Sequence, residues 1–179
     1  MNSKIILTLF IAFIMITSVI GFIWSSDSSE DNFEVLEYNN YKFKNVNGKY
    51  LLEIDGNEYV FDNSPYEVSS VDFEDFSLGS NKYYIIFNPD EKDLNMEYSM
   101  QKLYLVLNSL GVDIQLACLI EEGCEEEDIP IKSCDDYAFY FKKSTGAKIY
   151  KDNNCVVIEG DNIGISKAVD RINMKLLNI

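Results

Sequence analysis

The sequence predicts an N-terminal transmembrane helix followed by one extracytoplasmic domain of the α+β (or α/β) class, in which an antiparallel meander joins a small sheet with two helices. Three observations predict this arrangement. An uncharged apolar run comes first, two hairpin dipeptides follow it, and two later stretches repeat apolar residues at helical spacing. The predicted parts are a cytoplasmic N-terminus at 1–4, the membrane helix at 5–24, a linker at 25–32 and the folded domain at 33–179.

The apolar run at 5–24 has the length of a single membrane span. At about 1.5 Å of helical rise per residue it covers about 30 Å, the thickness of the hydrocarbon core of a bilayer. Lys4 precedes the run, and no basic residue follows it before Lys42, so the positive-inside rule places the domain outside the cell membrane. A cleaved signal peptide is the alternative, although its apolar part is usually shorter and Val19-Ile20-Gly21 is a poor cleavage site.

Composition excludes several classes of function. After Trp24 the chain carries 14 basic and 30 acidic residues, a net charge of −16, and the phosphates of nucleic acid repel so acidic a domain. The absence of histidine removes Ser-His-Asp catalysis, Cys-His catalysis and His-rich zinc sites. We therefore expect membrane lipid as one partner and another envelope protein as a second candidate, with no nucleic acid, cofactor, metal or catalytic residue.

The first part of the domain has the pattern of a β-meander. Residues 41–44 alternate apolar and polar side chains, as half-buried strands do. Asn47-Gly48 and Asp55-Gly56 favour two-residue type I′ turns, because both central positions of that turn need positive φ. With strands at 50–54 and 58–61 beside the second turn, three or four antiparallel strands are predicted.

A strand–helix–strand unit follows the meander. Residues 83–87 form a continuous apolar run, typical of a buried strand, and residues 112–119 are predicted to lie parallel to it after a crossover helix. Asn95 is the candidate N-cap of that helix and Gly111 its end signal. One face of the helix is apolar, formed by Met96, Met100, Leu103, Leu107 and Leu110.

The C-terminal part predicts a hairpin, a strand and a helix. Residues 137–141 and 147–150 flank Ser144-Thr145-Gly146 and are predicted to pair with each other as a hairpin. Residues 155–159 form another buried strand. The final helix presents an apolar face of Ile165, Val169, Ile172 and Leu176.

Four cysteines in a chain predicted to be exported favour two disulfides. Zinc is the weaker alternative, because its thiolate ligands commonly come in close pairs. In the register of the predicted hairpin Cys134 lies opposite Cys155, which leaves Cys118 to pair with Cys124. Pairing of Cys124 with Cys134, and of Cys118 with Cys155, stays open as the alternative.

Ser99-Met100-Gln101-Lys102 matches the S-x-x-K motif of penicillin-binding proteins and β-lactamases. Positions i and i+3 share a helix face, so Lys102 would be near Ser99. The companion motifs S-D-N and K-T-G are absent, however, and the chain is too short for that fold. We therefore expect an exposed serine and a surface lysine with no catalytic role.

Two acidic loops are candidate ligand sites. Asn88, Asp90, Glu91 and Asp93 follow the carboxyl end of a predicted parallel strand, where α/β proteins commonly bind ligands, so they form the best-placed polar cluster. Residues 121–128 hold six carboxylates of the kind that bind Ca²⁺, but they lack the D-x-D-x-D-G pattern, and a solvated loop is the simpler interpretation.

The last 26 residues carry a resemblance. Asn154-Cys-Val-Val-Ile-Glu-Gly-Asp161, Lys167-Ala-Val-Asp-Arg171 and Leu176-Leu-Asn-Ile179 resemble the ends of uncharacterised archaeal proteins that are membrane-anchored or secreted. The resemblance implies an archaeal cell-surface domain with paired cysteines, and it carries over no catalytic residue.

Three functions follow from these observations. The first is a non-enzymatic, membrane-tethered extracytoplasmic module that binds a protein or another envelope component, which the 12 tyrosines favour because tyrosine is enriched at interfaces. The second is an extracytoplasmic hydrolase or ion-binding protein that uses the loop at 88–93. The third is an accessory subunit of a membrane complex.

Overall fold

The computed structural model describes residues 33–124 and 129–179. The predicted cytoplasmic N-terminus, membrane helix and linker, at 1–4, 5–24 and 25–32, lie outside these ranges. Within the described part of the chain, no helix is both long and apolar enough to cross a bilayer.

The described domain contains ten strands and three α-helices. The strands are β1 (Glu34–Tyr38), β2 (Tyr41–Val46), β3 (Lys49–Ile54), β4 (Asn57–Phe61), β5 (Asp72–Phe73), β6 (Lys82–Phe87), β7 (Asp113–Cys118), β8 (Ala138–Lys143), β9 (Ala147–Asp152) and β10 (Cys155–Gly160). The helices are α1 (Pro65–Val68), α2 (Leu94–Ser109) and α3 (Asn162–Leu176), with one 3₁₀ turn at Pro89–Glu91.

The predicted fold class is wrong. The domain is sheet-rich, with ten strands in two sheets and three α-helices in the described ranges, and none of these helices could span a membrane. The predicted small sheet has six strands, in the order β5-β9-β10-β8-β6-β7. Its size was underestimated because β5 is only two residues long and lies in a segment without periodicity, and because the strands of the predicted hairpin do not pair with each other.

The central position of β10 explains the missing hairpin. β10 lies between β8 and β9, parallel to β8 and antiparallel to β9. Its first four residues are all buried, as befits a strand covered on both faces. The reversal into β10 occurs at Asn153, whose φ of 51° belongs to a tight turn, so the hairpin forms one strand later than predicted.

The first sheet is an antiparallel meander of β1 to β4 in sequence order. Both predicted turns are present, with φ of 53° and 78° at Asn47-Gly48 and 51° and 79° at Asp55-Gly56. A third turn at Asn39-Asn40 has φ of 47° and 68°. Asparagine tolerates this left-handed region better than most residues, so local turn chemistry fixes the register of the whole meander.

The strand–helix–strand unit is present as β6, α2 and β7, and its two strands pair in parallel. The helix begins two residues earlier than predicted, because the Asp93 carboxylate, and not Asn95, accepts the backbone N–H of Met96 at 2.9 Å. The end signal at Gly111 is correct, with φ of 76°.

The helices α2 and α3 lie between the two sheets. Toward the six-stranded sheet they bury most of the predicted apolar faces, among them Met96, Leu103 and Val169, whereas the predicted Leu110 is 44% exposed. Toward the meander they present a second set of buried residues, which includes Val106 and Met174. Both helices are therefore covered on two sides, which a single apolar face does not reveal.

Candidate functional site

The carboxyl ends of four parallel strands, β6, β7, β8 and β10, meet at one edge of the six-stranded sheet. The helices α2 and α3 begin at the same edge. The predicted ligand loop at 88–93 lies there, directly after β6. The loop therefore lies at the carboxyl end of a parallel strand, where α/β proteins commonly bind ligands.

Most polar side chains of this loop are bonded inside the domain. Asn88 accepts the backbone N–H of Asp90 at 3.2 Å and so caps the 3₁₀ turn. Glu91 accepts the backbone N–H of Lys143 at 2.8 Å, and Asp93 accepts the Lys143 ammonium at 2.7 Å besides capping α2. Only the Asp90 side chain is exposed with no hydrogen bond in the described structure.

Lys143 organises this edge electrostatically. Its ammonium donates to Asp93 and also to the Asn162 side chain at the start of α3. The hydrogen bond from Lys143, helped by the backbone N–H of Met96, lowers the pKa of Asp93. Asp93 is thus a stable anion that holds two helix starts together, and it lacks the raised pKa of a general acid.

The backbone of Gly146 packs tightly against the first turn of α3. Asp161 caps the helix by accepting the backbone N–H of Gly164 at 2.7 Å. The carbonyl oxygen of Gly146 lies so close that a Cβ on Gly164 would stand 1.9 Å from it. Glycine is therefore required at position 164, because any side chain there would collide with this carbonyl.

Two adjoining clefts, with volumes of about 400 Å³ and 410 Å³, lie beside this edge. They share Phe87, Lys92, Glu97 and Ile129 in their walls. Among the described residues, no group of three or more Cys, Asp or Glu side chains is arranged to hold a metal ion. Of the acidic loop at 121–128, residues 125–128 lie outside the described ranges.

The four cysteines form the two predicted disulfides. Cys118 pairs with Cys124, with Cα atoms 6.2 Å apart, and Cys134 pairs with Cys155, with Cα atoms 5.0 Å apart. No thiol remains for zinc. The pairing is confirmed although the hairpin used to predict it is absent. Cys134 meets Cys155 because the turn before β8 lies beside the start of β10, where the backbone N–H of Asn154 donates to the Cys134 carbonyl at 3.1 Å.

One face of the six-stranded sheet carries tyrosines and has none of the described helices packed on it. Because successive residues of a strand face opposite sides, Ile85 and Phe139 point to the helices while their neighbours Tyr84 and Tyr140 point away. We call this surface the tyrosine face and define it by Tyr84, Tyr140, Tyr150 and Glu159. All four side chains are half-buried.

Polar contacts fix the centre of the tyrosine face. The Tyr150 hydroxyl donates to Glu159 at 2.9 Å, and Lys142 lies 3.5 Å from the same carboxylate oxygen. Burial and this hydrogen bond raise the pKa of Tyr150 to about 12. Hydrogen bonds from Ser144 and Tyr150 lower the pKa of Glu159. The hydroxyl therefore stays protonated and the carboxylate ionised over the physiological range.

Lysines border the tyrosine rings. The Lys132 ammonium lies 4.6 Å from the centre of the Tyr84 ring, and the Lys148 ammonium lies 5.2 Å from that of Tyr150. Such cation–π contacts hold the rings in place. The result is an ordered surface of aromatic rings, cations and one carboxylate that the sequence did not indicate, because its four defining residues come from four strands whose order was not predicted.

The surroundings of Ser99 and Lys102 differ from those predicted. Both residues are buried, at 2% and 8% exposure, so the exposed serine and surface lysine expected from the sequence are wrong in location. The Lys102 ammonium bonds the carboxylates of Asp62 and Asp170. In the described structure Lys102 bonds these carboxylates and not Ser99, so the absence of penicillin-binding chemistry stays our prediction.

No protein family, curated protein or solved structure matches this chain. The resemblance to archaeal proteins therefore stays a prediction.

Proposed function

We propose that the domain works outside the cytoplasm, at the cell membrane, as a non-enzymatic module that binds another envelope protein through the tyrosine face. The observation that carries the proposal is that this face is ordered, aromatic and uncovered by any described helix. A hydrogen bond joins Tyr150 to Glu159 and the Lys132 ammonium lies on the Tyr84 ring, while all four defining side chains stay half-buried.

The disulfides support the proposed compartment. All four cysteines are paired, and disulfides persist in oxidising compartments outside the cytoplasm. The uncharged run at 5–24 supports a location at the membrane.

The chemistry of the tyrosine face supports a protein partner. Tyrosine joins a large apolar ring to a hydroxyl and is enriched at the centres of protein interfaces. Here the three rings lie over a buried layer that includes Ile86 and Val157, so an incoming surface would meet rigid side chains that lose little freedom on binding. The proposed interface is therefore preorganised.

The hydrolase or ion-binding alternative has weaker support. Its loop at 88–93 lies beside a cleft, as such a site should, but Asn88, Glu91 and Asp93 already bond backbone groups or Lys143. A ligand would have to break these bonds before it could use the oxygens, and Asp93 would lose its role as the cap of α2.

The test is co-purification of partners with tagged full-length protein from mildly solubilised membranes. We expect a specific partner with the natural chain and its loss from the variant Tyr84→Ser/Tyr140→Ser/Tyr150→Ser. A matched control, Tyr66→Ser/Tyr104→Ser, changes two exposed tyrosines away from the face and should keep the partner.

Two results would contradict the proposal. One is a partner that binds the triple variant as well as the natural chain, provided that peptide mapping shows both disulfides and circular dichroism shows an unchanged fold. The other is the absence of any partner from repeated purifications. Fractionation with a carbonate wash tests the location separately, since recovery in the medium or the cytoplasm would contradict it.

A further inference from the structure

Three charged groups meet in the layer between the meander and the helices. Lys102 lies in α2, Asp170 lies in α3 and Asp62 directly follows β4. The Asp170 side chain is fully buried, while those of Lys102 and Asp62 are 9% and 14% exposed. Burial of separate charges is costly, so this arrangement calls for a physical explanation.

The two oxygens of the Asp170 carboxylate have different surroundings. On one side the Lys102 nitrogen bonds Oδ1. On the other side Oδ2 accepts three N–H groups, from the backbone of Asp62 at 2.9 Å, the backbone of Asn63 at 2.9 Å and the side chain of Asn63 at 2.8 Å. Asp170 therefore has an amine at one oxygen and a set of fixed donors at the other.

The third group can accept a proton. Asp62 Oδ2 lies 2.8 Å from the Lys102 nitrogen. Although burial opposes it, hydrogen bonds from Lys102 and Lys49 lower the pKa of Asp62, while burial raises the pKa of Asp170. Two carboxyls of unlike acidity thus flank one amine, the more acidic of them on the side nearer to water.

We propose that Lys102 and Asp170 condense to an intramolecular isopeptide bond, with Asp62 as the group that transfers the proton. The cluster supplies a nucleophile and an electrophile on two helices, with a proton acceptor and donors for the oxyanion in the connection after β4. This modification links α2 to α3 covalently and is independent of the proposed function.

The reaction balances within the cluster. The Lys102 ammonium gives one proton to Oδ1 of Asp170, which it already bonds, so that a neutral amine faces a neutral carboxyl. The free amine attacks Cγ of Asp170, and the tetrahedral oxyanion forms on Oδ2, where the three N–H groups stabilise it. The second amine proton passes to Asp62, which gives it to the Oδ1 hydroxyl, and this group leaves as water. The ammonium and the carboxylate become one neutral amide and one water molecule.

Burial favours this outcome. The fold holds the reacting groups in contact, which replaces a bimolecular encounter by an intramolecular one. The product carries no charge, so the cost of burying an ammonium and a carboxylate disappears. Lys49, whose side chain is 48% exposed, bonds the other oxygen of Asp62 and marks the side on which water and the proton can leave.

Mass spectrometry of the full-length chain tests the proposal directly. After reduction of the disulfides, we expect a protein lighter than its sequence by one water molecule. Trypsin cannot cleave after an acylated Lys102, so a branched peptide that joins residues 93–132 to 168–171 is expected. A chain at full sequence mass would overturn the proposal, and so would a loss of water without the branched peptide, since a succinimide has the same mass.

Variants test the assigned roles. Lys102→Arg and Asp170→Ala should have the full sequence mass, and Asp62→Asn should lose most of the branched peptide because no proton acceptor remains. Lys143→Arg is the matched control, since it changes a lysine that also contacts both helices, and it should keep the bond. An unchanged yield in Asp62→Asn would contradict the role of Asp62, and the natural chain tests the bond itself whether or not a variant folds.

Discussion

The two lysine clusters that tie α2 to α3 lie in opposite surroundings. Lys143 joins Asp93 at the start of α2 to Asn162 at the start of α3, where its side chain is 24% exposed and that of Asp93 is 40% exposed. Lys102 joins α2 to Asp170 of α3 in the middle of the layer, where the two side chains are 9% and 0% exposed.

The difference in burial decides what each cluster can do. An ion pair in contact with water is worth about 0–1 kcal/mol, because solvent screens it and each partner is hydrated when the pair breaks. A buried pair leaves an unpaired charge when one partner is removed, which costs about 3–5 kcal/mol. The exposed cluster therefore adds only a small stabilisation at the starts of the two helices. The buried cluster stabilises the packing of the helices against the meander and, in our proposal, reacts.

The largest expected effect comes from removing the buried cation. Lys102→Met should lower the free energy of unfolding by about 3–5 kcal/mol, because it leaves the Asp170 carboxylate buried as an unpaired charge, whether it replaces the ion pair or the proposed amide. Urea unfolding followed by circular dichroism measures the change. Lys143→Met is the matched control and should cost no more than about 1 kcal/mol. Equal effects of the two variants would remove the distinction between the clusters.

A second substitution should recover part of that loss. Lys102→Met/Asp170→Asn replaces the unpaired carboxylate by a neutral amide whose oxygen still accepts the N–H groups of Asp62 and Asn63. We expect the double variant to be more stable than Lys102→Met by at least about 1 kcal/mol. The same unfolding measurement applies, and a double variant that is less stable would show that the charge on Asp170 is not the source of the cost.

Removing the anion of the exposed cluster should have a moderate effect. Asp93→Ala deletes the N-cap of α2 together with the partner of Lys143, and loss of a cap typically costs about 1 kcal/mol. Asp93→Asn keeps the capping oxygen and removes the charge, so it should cost less. A larger loss in Asp93→Asn than in Asp93→Ala, measured by thermal unfolding, would contradict the assignment of the effect to capping.

The two clusters also differ in how far the sequence predicts them. The turns at Asn47-Gly48 and Asp55-Gly56 are local signals and could be identified directly. The position of Asp93 after a parallel strand was predicted from topology, although its use as a cap was assigned to Asn95. These features depend on a few neighbouring residues, so the sequence contains the information that they need.

The buried cluster depends on contacts between distant segments. Ser99, Lys102 and Val106 form a second stripe on α2 that faces the meander, but a serine and a lysine on a helix ordinarily indicate the solvent side. Only the packing of a sheet against each side of the helix buries them. The strand order was not predicted for a related reason. Each residue of β10 pairs in parallel with a residue of β8 that lies 17 positions earlier in the sequence, and no turn signal marks that pairing.

The smallest expected effect is the acid sensitivity that Lys143 confers. The hydrogen bond from Lys143 lowers the pKa of Asp93 below the 3.8 of an unperturbed group, so the folded state binds this proton less readily than the unfolded state. The resulting stabilisation is present above pH 3.8 and is lost as the pH falls through the lowered pKa.

In Lys143→Met the pKa of Asp93 should return toward its ordinary value, and the free energy of unfolding should fall less steeply between pH values of about 5 and about 2. Because both groups contact solvent, the difference between the two curves should stay below about 1 kcal/mol. Lys92→Met removes another exposed lysine near the start of α2, one that pairs with Glu97 at 2.8 Å, and should leave the contribution of Asp93 unchanged. Curves for the natural chain and Lys143→Met that run parallel over the whole range would show that Lys143 does not set the protonation of Asp93.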